Sequence, residues 1–136
     1  MLGRREVRRS AFILSFEKLF RDDPIEEIFA AAEDVGELSV DDEVRQVVTN
    51  ILERQEELDQ IIGKYSDKRA VSRIPKINLA ILRLAVYEAL YDDKVPVNVA
   101  ISEAVGLAEK YALEPDVSFV NGILGSFSKD LAAKED

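Results

Sequence analysis

Between Ile74 and Leu90 the chain carries a segment with no face suited to water. Ile77, Ile81, Leu82, Leu84, Ala85 and Leu90 cover nearly the whole circumference of a helix, and Pro75 stands where proline fits a first turn. A helix that is apolar nearly all round has to be wrapped by other elements, so this segment predicts the centre of a core.

The rest of the sequence supplies helices to wrap it. Val7, Ala11 and Leu14, with Phe12, Ile13, Phe16, Leu19 and Phe20, recur at three and four and end at Asp22-Asp23-Pro24. Pro24 opens a second helix, with Asp23 as its expected cap, Glu26 and Glu27 in its first turn and Gly36 as its stop. A third has Ser39 as expected cap and Val44, Val47, Val48, Ile51 and Leu52 as its stripe. Leu58, Ile61 and Ile62 resume that stripe after a polar stretch, which leaves one kinked helix or two shorter ones. Beyond the central segment, Val97 to Tyr111 and Phe119 to Phe127 show core spacing, and residues 132–136 are expected to fray. No segment alternates with period two. Six or seven short helices without strands or internal repeats give an all-α chain, read as a single domain over 1–136.

The 136 residues include no cysteine and no histidine, which excludes disulfides, thiolate or imidazole zinc sites, cysteine nucleophiles and histidine-dependent triads. The N-terminus lacks an apolar signal core and no run approaches a membrane span, so the expectation is a cytoplasmic protein with no membrane partner. Glu88 and Glu103 are a conceivable carboxylate pair. With 27 acids such pairs arise by chance, and no companion nucleophile or oxyanion loop is recognisable, so the expectation is no enzyme, no catalytic residue, no metal and no cofactor.

Charge is unevenly placed within the net −9. Residues 1–21 hold six basic against two acidic side chains, and residues 63–83 six against one, while residues 22–62 and 84–136 are acidic. Two basic patches on an acidic body suit a protein that touches a polyanion through a limited surface. Arg4, Arg5, Arg8 and Arg9 stand at one-turn spacing in the first helix, at the end where the helix dipole prefers acids. That spacing serves successive phosphates, and equally well salt bridges to the acidic second and third helices. Gly122-Ile123-Leu124-Gly125 spells the clamp of a KH module, but its middle residues are of core type and the accompanying strands are missing, so close helix packing is the expected role.

Three ordered blocks are recognisable: Ile77 to Glu88 (INLAILRLAVYE), Val95 to Val105 (VPVNVAISEAV) and Phe119 to Leu124 (FVNGIL). Together with the Arg-Arg-x-x-Arg-x-x-Ala opening at Arg4, they make a chain that resembles the NusB family over essentially its whole length. The resemblance implies two roughly perpendicular three-helix bundles and a bacterial transcription antitermination factor. Such a factor binds single-stranded boxA RNA of ribosomal RNA leaders with the NusE ribosomal protein, then joins other Nus factors on RNA polymerase.

Carried onto this chain, the resemblance places RNA contacts at Arg4, Arg5, Arg8 and Arg9, on the aromatic Phe16, and on Phe119 and Asn121. Stacking on an unpaired base and burial both fit the two phenylalanines. Tyr65 and Asn78 are the expected partner-facing residues. The chain departs from the family where tyrosine is common (Phe16), where an acid is common (Asn78), where a base can stand (Ser118), and at Glu6 within the basic opening. Two other roles stay open: a homodimeric protein-binding scaffold with its arginine face covered, and the RNA-binding module of a ribosomal RNA methyltransferase system. The chain is expected to lack the catalytic domain of the latter.

Overall fold

The structure is a computed structural model and describes residues 3–67 and 69–135. The described residues form helices and no strand, in two compact units, Met1–Arg54 and Gln55–Asp136.

The first unit holds α1 (Arg4–Lys18), α2 (Ile25–Val35) and α3 (Asp42–Glu53). Val7, Ala11, Phe12 and Leu14 of α1 are buried, as are Val44, Val48 and Ile51 of α3, and α1 packs chiefly on α3. Start and stop chemistry differs from the sequence expectation at two caps. Pro24 is the N-cap of α2 with no side-chain bond, because the Asp23 carboxylate accepts instead from Arg21 Nε at 2.7 Å. Asp41, not Ser39, caps α3 by accepting from the Val44 N–H at 2.9 Å. Gly36 ends α2 at φ 78, the left-handed conformation glycine takes without steric cost.

The second unit holds α4 (Gln55–Tyr65), a 3-10 turn (Val71–Arg73), α5 (Lys76–Tyr91), α6 (Val97–Tyr111) and α7 (Glu114–Glu135). Two helices, with Arg54 between them, settle the question over the Val44 to Ile62 stripe. This unit has four α-helices where the resemblance implies three. As its composition demands, α5 is the hub: it packs on α4, α6 and α7, and every residue from Asn78 to Glu88 is buried. The turn at Asp92 to Pro96 then lets α6 lie back along α5 with Ala100, Ala104 and Ala108 inward. Pro115 falls in the first turn of α7, where a missing N–H costs nothing. The helix continues to Glu135, through most of the stretch expected to fray, and Asp136 lies outside the described residues. No helix among the described residues is long and apolar enough to cross a membrane.

Gly122 and Gly125 correct a second expectation. Ile123 and Leu124 between them are buried in α7, so no clamp loop exists there, but a Cβ at either glycine would meet nothing within 4 Å. Close helix packing is therefore not their role. Each of Gly122→Ala and Gly125→Ala is expected to stabilise the chain by about 0.5–1 kcal/mol through helix propensity, read as a higher denaturant midpoint.

Candidate nucleic-acid interface

The four arginines of α1 do not form one open row. Arg5 is exposed, Arg4 is half-buried and pairs with Glu43 of α3, and half-buried Arg9 pairs with Glu6 at 3.3 Å. Arg8 is only 6% exposed and cannot serve as an open phosphate contact, which corrects its expected role. The reason lies in the helix period: Arg8 falls within the arc of α1 that holds buried Ala11, Phe12 and Ser15, whereas Arg5 stands at the edge of that arc in the first turn. The salt-bridge reading thus holds for part of the cluster. Arg4 is a salt bridge to the third helix, and Arg5 is the cation turned outward.

Phe16 is half-buried, with its ring parallel to Phe12 at 6.1 Å between centroids and edge-on to Phe20 at 5.1 Å. Phe20, not singled out by the sequence, is 60% exposed and is the aromatic most open to solvent in this unit.

In the second unit, the chain before α5 and the start of α7 form one corner. Asn78 Nδ2 donates to Asp116 Oδ1 at 3.0 Å, and the Arg69 guanidinium lies over the Phe119 ring at 5.0 Å from its centroid. Phe119 is half-buried and Asn121, one residue beyond buried Val120, is exposed. Phe119 and Asn121 thus share one stretch of α7 but, two residues apart, point to different sides of the helix, Phe119 under Arg69 and Asn121 on the side of α6. Asn121 also lines a cavity of about 540 Å³ along α6 and α7, with Ile101, Val105, Gly125 and Lys129 on its wall.

The expected partner-facing residues fare differently. Asn78 is fully buried and offers no surface to a partner, which corrects that expectation. Tyr65 is half-buried, and its hydroxyl donates to Asp130 Oδ2 at 2.6 Å while its ring meets Phe127 edge-on at 6.1 Å. Hydrogen bonding to the Asp130 carboxylate, reinforced by desolvation, pushes the Tyr65 phenol up to about 12. The folded state holds this proton more tightly than the unfolded chain. Its stabilisation is complete below the ordinary tyrosine value of 10.0 and is lost as pH climbs through about 12. Tyr65→Phe is expected to flatten that alkaline loss in a stability-versus-pH series.

Arg83 was counted in the second basic patch, but it is 7% exposed and does not contribute to a surface. Its Nε and Nη2 donate to Asp59 Oδ1 and Oδ2 at 2.7 and 2.8 Å, tying α5 to α4. What remains exposed from that patch includes Arg69, Arg73 and Lys76. Sequence reasoning counted Arg69 only as a charge in that patch and missed its place over Phe119, 50 positions away with no local signal linking them.

The NusB family profile matches residues 5–129. A transcription antitermination protein NusB of Acetivibrio thermocellus is 41% identical over 130 residues, covering 94% of this chain and 90% of that one. Among solved structures, NusB of T. maritima matches with a TM-score of 0.81 at 31% identity, over 94% of this chain and 92% of that one. A chain in the crystal structure of antitermination factors NusB and NusE in complex with dsRNA matches with a TM-score of 0.80 at 25% identity, over 93% and 96%.

Proposed function

The chain belongs to the NusB family, and from that premise we propose that it is a transcription antitermination factor that binds boxA-type RNA of ribosomal RNA leaders jointly with a NusE protein. The observation that carries this reading is the family match over residues 5–129, which takes in both the arginine helix and the Phe119–Asn121 segment. The complex then joins other Nus factors on RNA polymerase. The work is binding alone, in the cytoplasm, with no catalytic step and no cofactor.

The residues divide the labour. Arg5 supplies outward positive charge on an otherwise acidic body and orients the phosphate backbone. Arg4 and Arg9 reach RNA only by sharing or leaving Glu43 and Glu6, which lowers their separate contributions. The corner at Phe119 offers a stacking platform for an unpaired base, and the exposed Asn121 amide offers paired donor and acceptor groups. Phe16 and Phe20 give the first unit an aromatic edge of the same kind. Tyr65 belongs to the protein-facing side, where its bond to Asp130 fixes the ring.

The test is a titration of labelled single-stranded boxA-type RNA, with a scrambled strand and a duplex alongside, with and without NusE and at two salt concentrations. The expected result is selective binding of the single strand that tightens with NusE and weakens with salt, by about 0.7 in log–log slope per phosphate neutralised. Equal affinity for the scrambled strand, or indifference to NusE, overturns the reading. A preference for the duplex would move it to the kind of RNA present in the solved NusB–NusE complex. Within the same assay, Arg5→Ala is expected to weaken binding several-fold at an unchanged melting temperature. Arg8→Ala should lower the melting temperature instead, since its stem and head group are packed inside.

A further inference from the structure

Most arginines whose contacts are described are committed to carboxylates: Arg4 to Glu43, Arg9 to Glu6, Arg21 to Glu17 and Asp23, Arg45 to Glu33 and Arg83 to Asp59. Arg69 and Arg73 differ. Both are exposed, and neither makes an ion pair among the described residues, although the chain holds 27 acids against 18 basic groups. In so acidic a protein, two exposed arginines without carboxylate partners hold positive potential in reserve for an outside anion.

Arg69 is also held in place. The buried Ser66 hydroxyl donates to the Arg69 carbonyl at 2.7 Å, and the Arg73 N–H returns to Ala70 at 2.9 Å, so a short hydrogen-bonded loop leads straight into α5. The Asn78–Asp116 bond then ties the start of α5 to the start of α7, the helix that carries Phe119. Against that frame the guanidinium carbon lies over the Phe119 ring, 5.0 Å from its centroid.

We infer that Arg69 is a further RNA-binding residue, and that its guanidinium, backed by the Phe119 ring, is the surface on which an unpaired base stacks. The inference rests on the RNA-binding reading above and deepens it. A planar guanidinium presents two stacking faces. One is taken by Phe119, leaving the other for a base, while its edge N–H groups remain able to meet the adjoining phosphate. Arg73, in the same loop, adds a second cation for the backbone. Phe119 then acts as a positioning residue that backs the guanidinium, and specificity for single strands follows, because a base stacked within a duplex offers no free face.

The experiment is RNA titration of Arg69→Ala, Arg69→Lys and Phe119→Ala beside wild type, with the same single-stranded probe over a range of salt. Arg69→Ala is expected to weaken binding about tenfold and to reduce the log–log salt slope by about 0.7. Arg69→Lys should keep the slope and still lose most of the affinity, because an ammonium carries the charge without the plane. Arg69→Gln repeats the test if alanine loosens the loop. Wild-type affinity in Arg69→Ala with a loss in Phe119→Ala overturns the inference and leaves the RNA-binding reading standing. Wild-type affinity in Arg69→Lys overturns the stacking role. A wild-type chain that binds no RNA, with or without NusE, overturns both.

Discussion

Asp59→Ala is expected to lower the stability of the chain by about 3–5 kcal/mol, with the lower end favoured because the Asp59 side chain keeps 24% of its exposure. The loss comes less from the attraction removed than from what stays behind. Arg83 is 7% exposed on the central helix α5, and its two donors at 2.7 and 2.8 Å have Asp59 as their carboxylate. Without that carboxylate, a full positive charge is left inside the packing of α5 against α4. A denaturant series reads the effect as a lower midpoint at unchanged slope. The double variant Asp59→Ala/Arg83→Met removes the stranded charge and should recover most of the loss. A change below about 1 kcal/mol in Asp59→Ala would instead mark the pair as an ordinary surface bridge.

Asn78→Asp should cost about 2–4 kcal/mol near neutral pH, for a different reason. Asn78 is fully buried, and its Nδ2 donates to Asp116 Oδ1 at 3.0 Å. The change deletes that donor and sets a second carboxylate against the first. Protonating the introduced carboxyl restores a donor toward Asp116, so the folded variant binds a proton more readily than its unfolded chain does. Stability of the variant relative to wild type therefore falls as pH rises and recovers as pH falls toward the carboxylate range. Paired stability-versus-pH curves measure it, and a difference independent of pH would refute the account. Replacing Asp116 with serine in the Asn78→Asp background should relieve the loss without acid. The resemblance reads an acid at this place as partner-facing. In this chain the neutral amide is what the half-buried Asp116 carboxylate requires.

These two cases show where sequence reasoning reaches and where it stops. The apolar circumference of α5 was legible because burial on every side leaves a mark within one segment, and its place as hub followed. The polar residues within it were not, since Asp59 and Asp116 lie 24 and 38 positions from their partners and nothing local joins them. Caps were misplaced at Asp23 and Ser39 because several oxygen-bearing side chains compete near each start, and only geometry selects Asp41. The arginine cluster was visible as a spacing, but the spacing of Arg8 with Phe12 and Ser15 is equally regular and runs inward. Phe119 and Asn121 were found through the resemblance alone. Arg69, which sits on that ring, carried no sequence signal beyond its charge.

The open space beside Gly122 has a use in watching the corner at work. The chain has no cysteine and no tryptophan, so Gly122→Cys would introduce a single thiol on the exposed side of α7, next to Asn121 and less than one turn from Phe119. The Cβ of such a residue meets nothing within 4 Å, so a fluorophore on its thiol starts from open space, and its signal would report occupancy of this corner. Arrival of RNA at the corner could then be timed separately from arrival at the arginine helix, and the order of the two events would reveal which contact captures the strand.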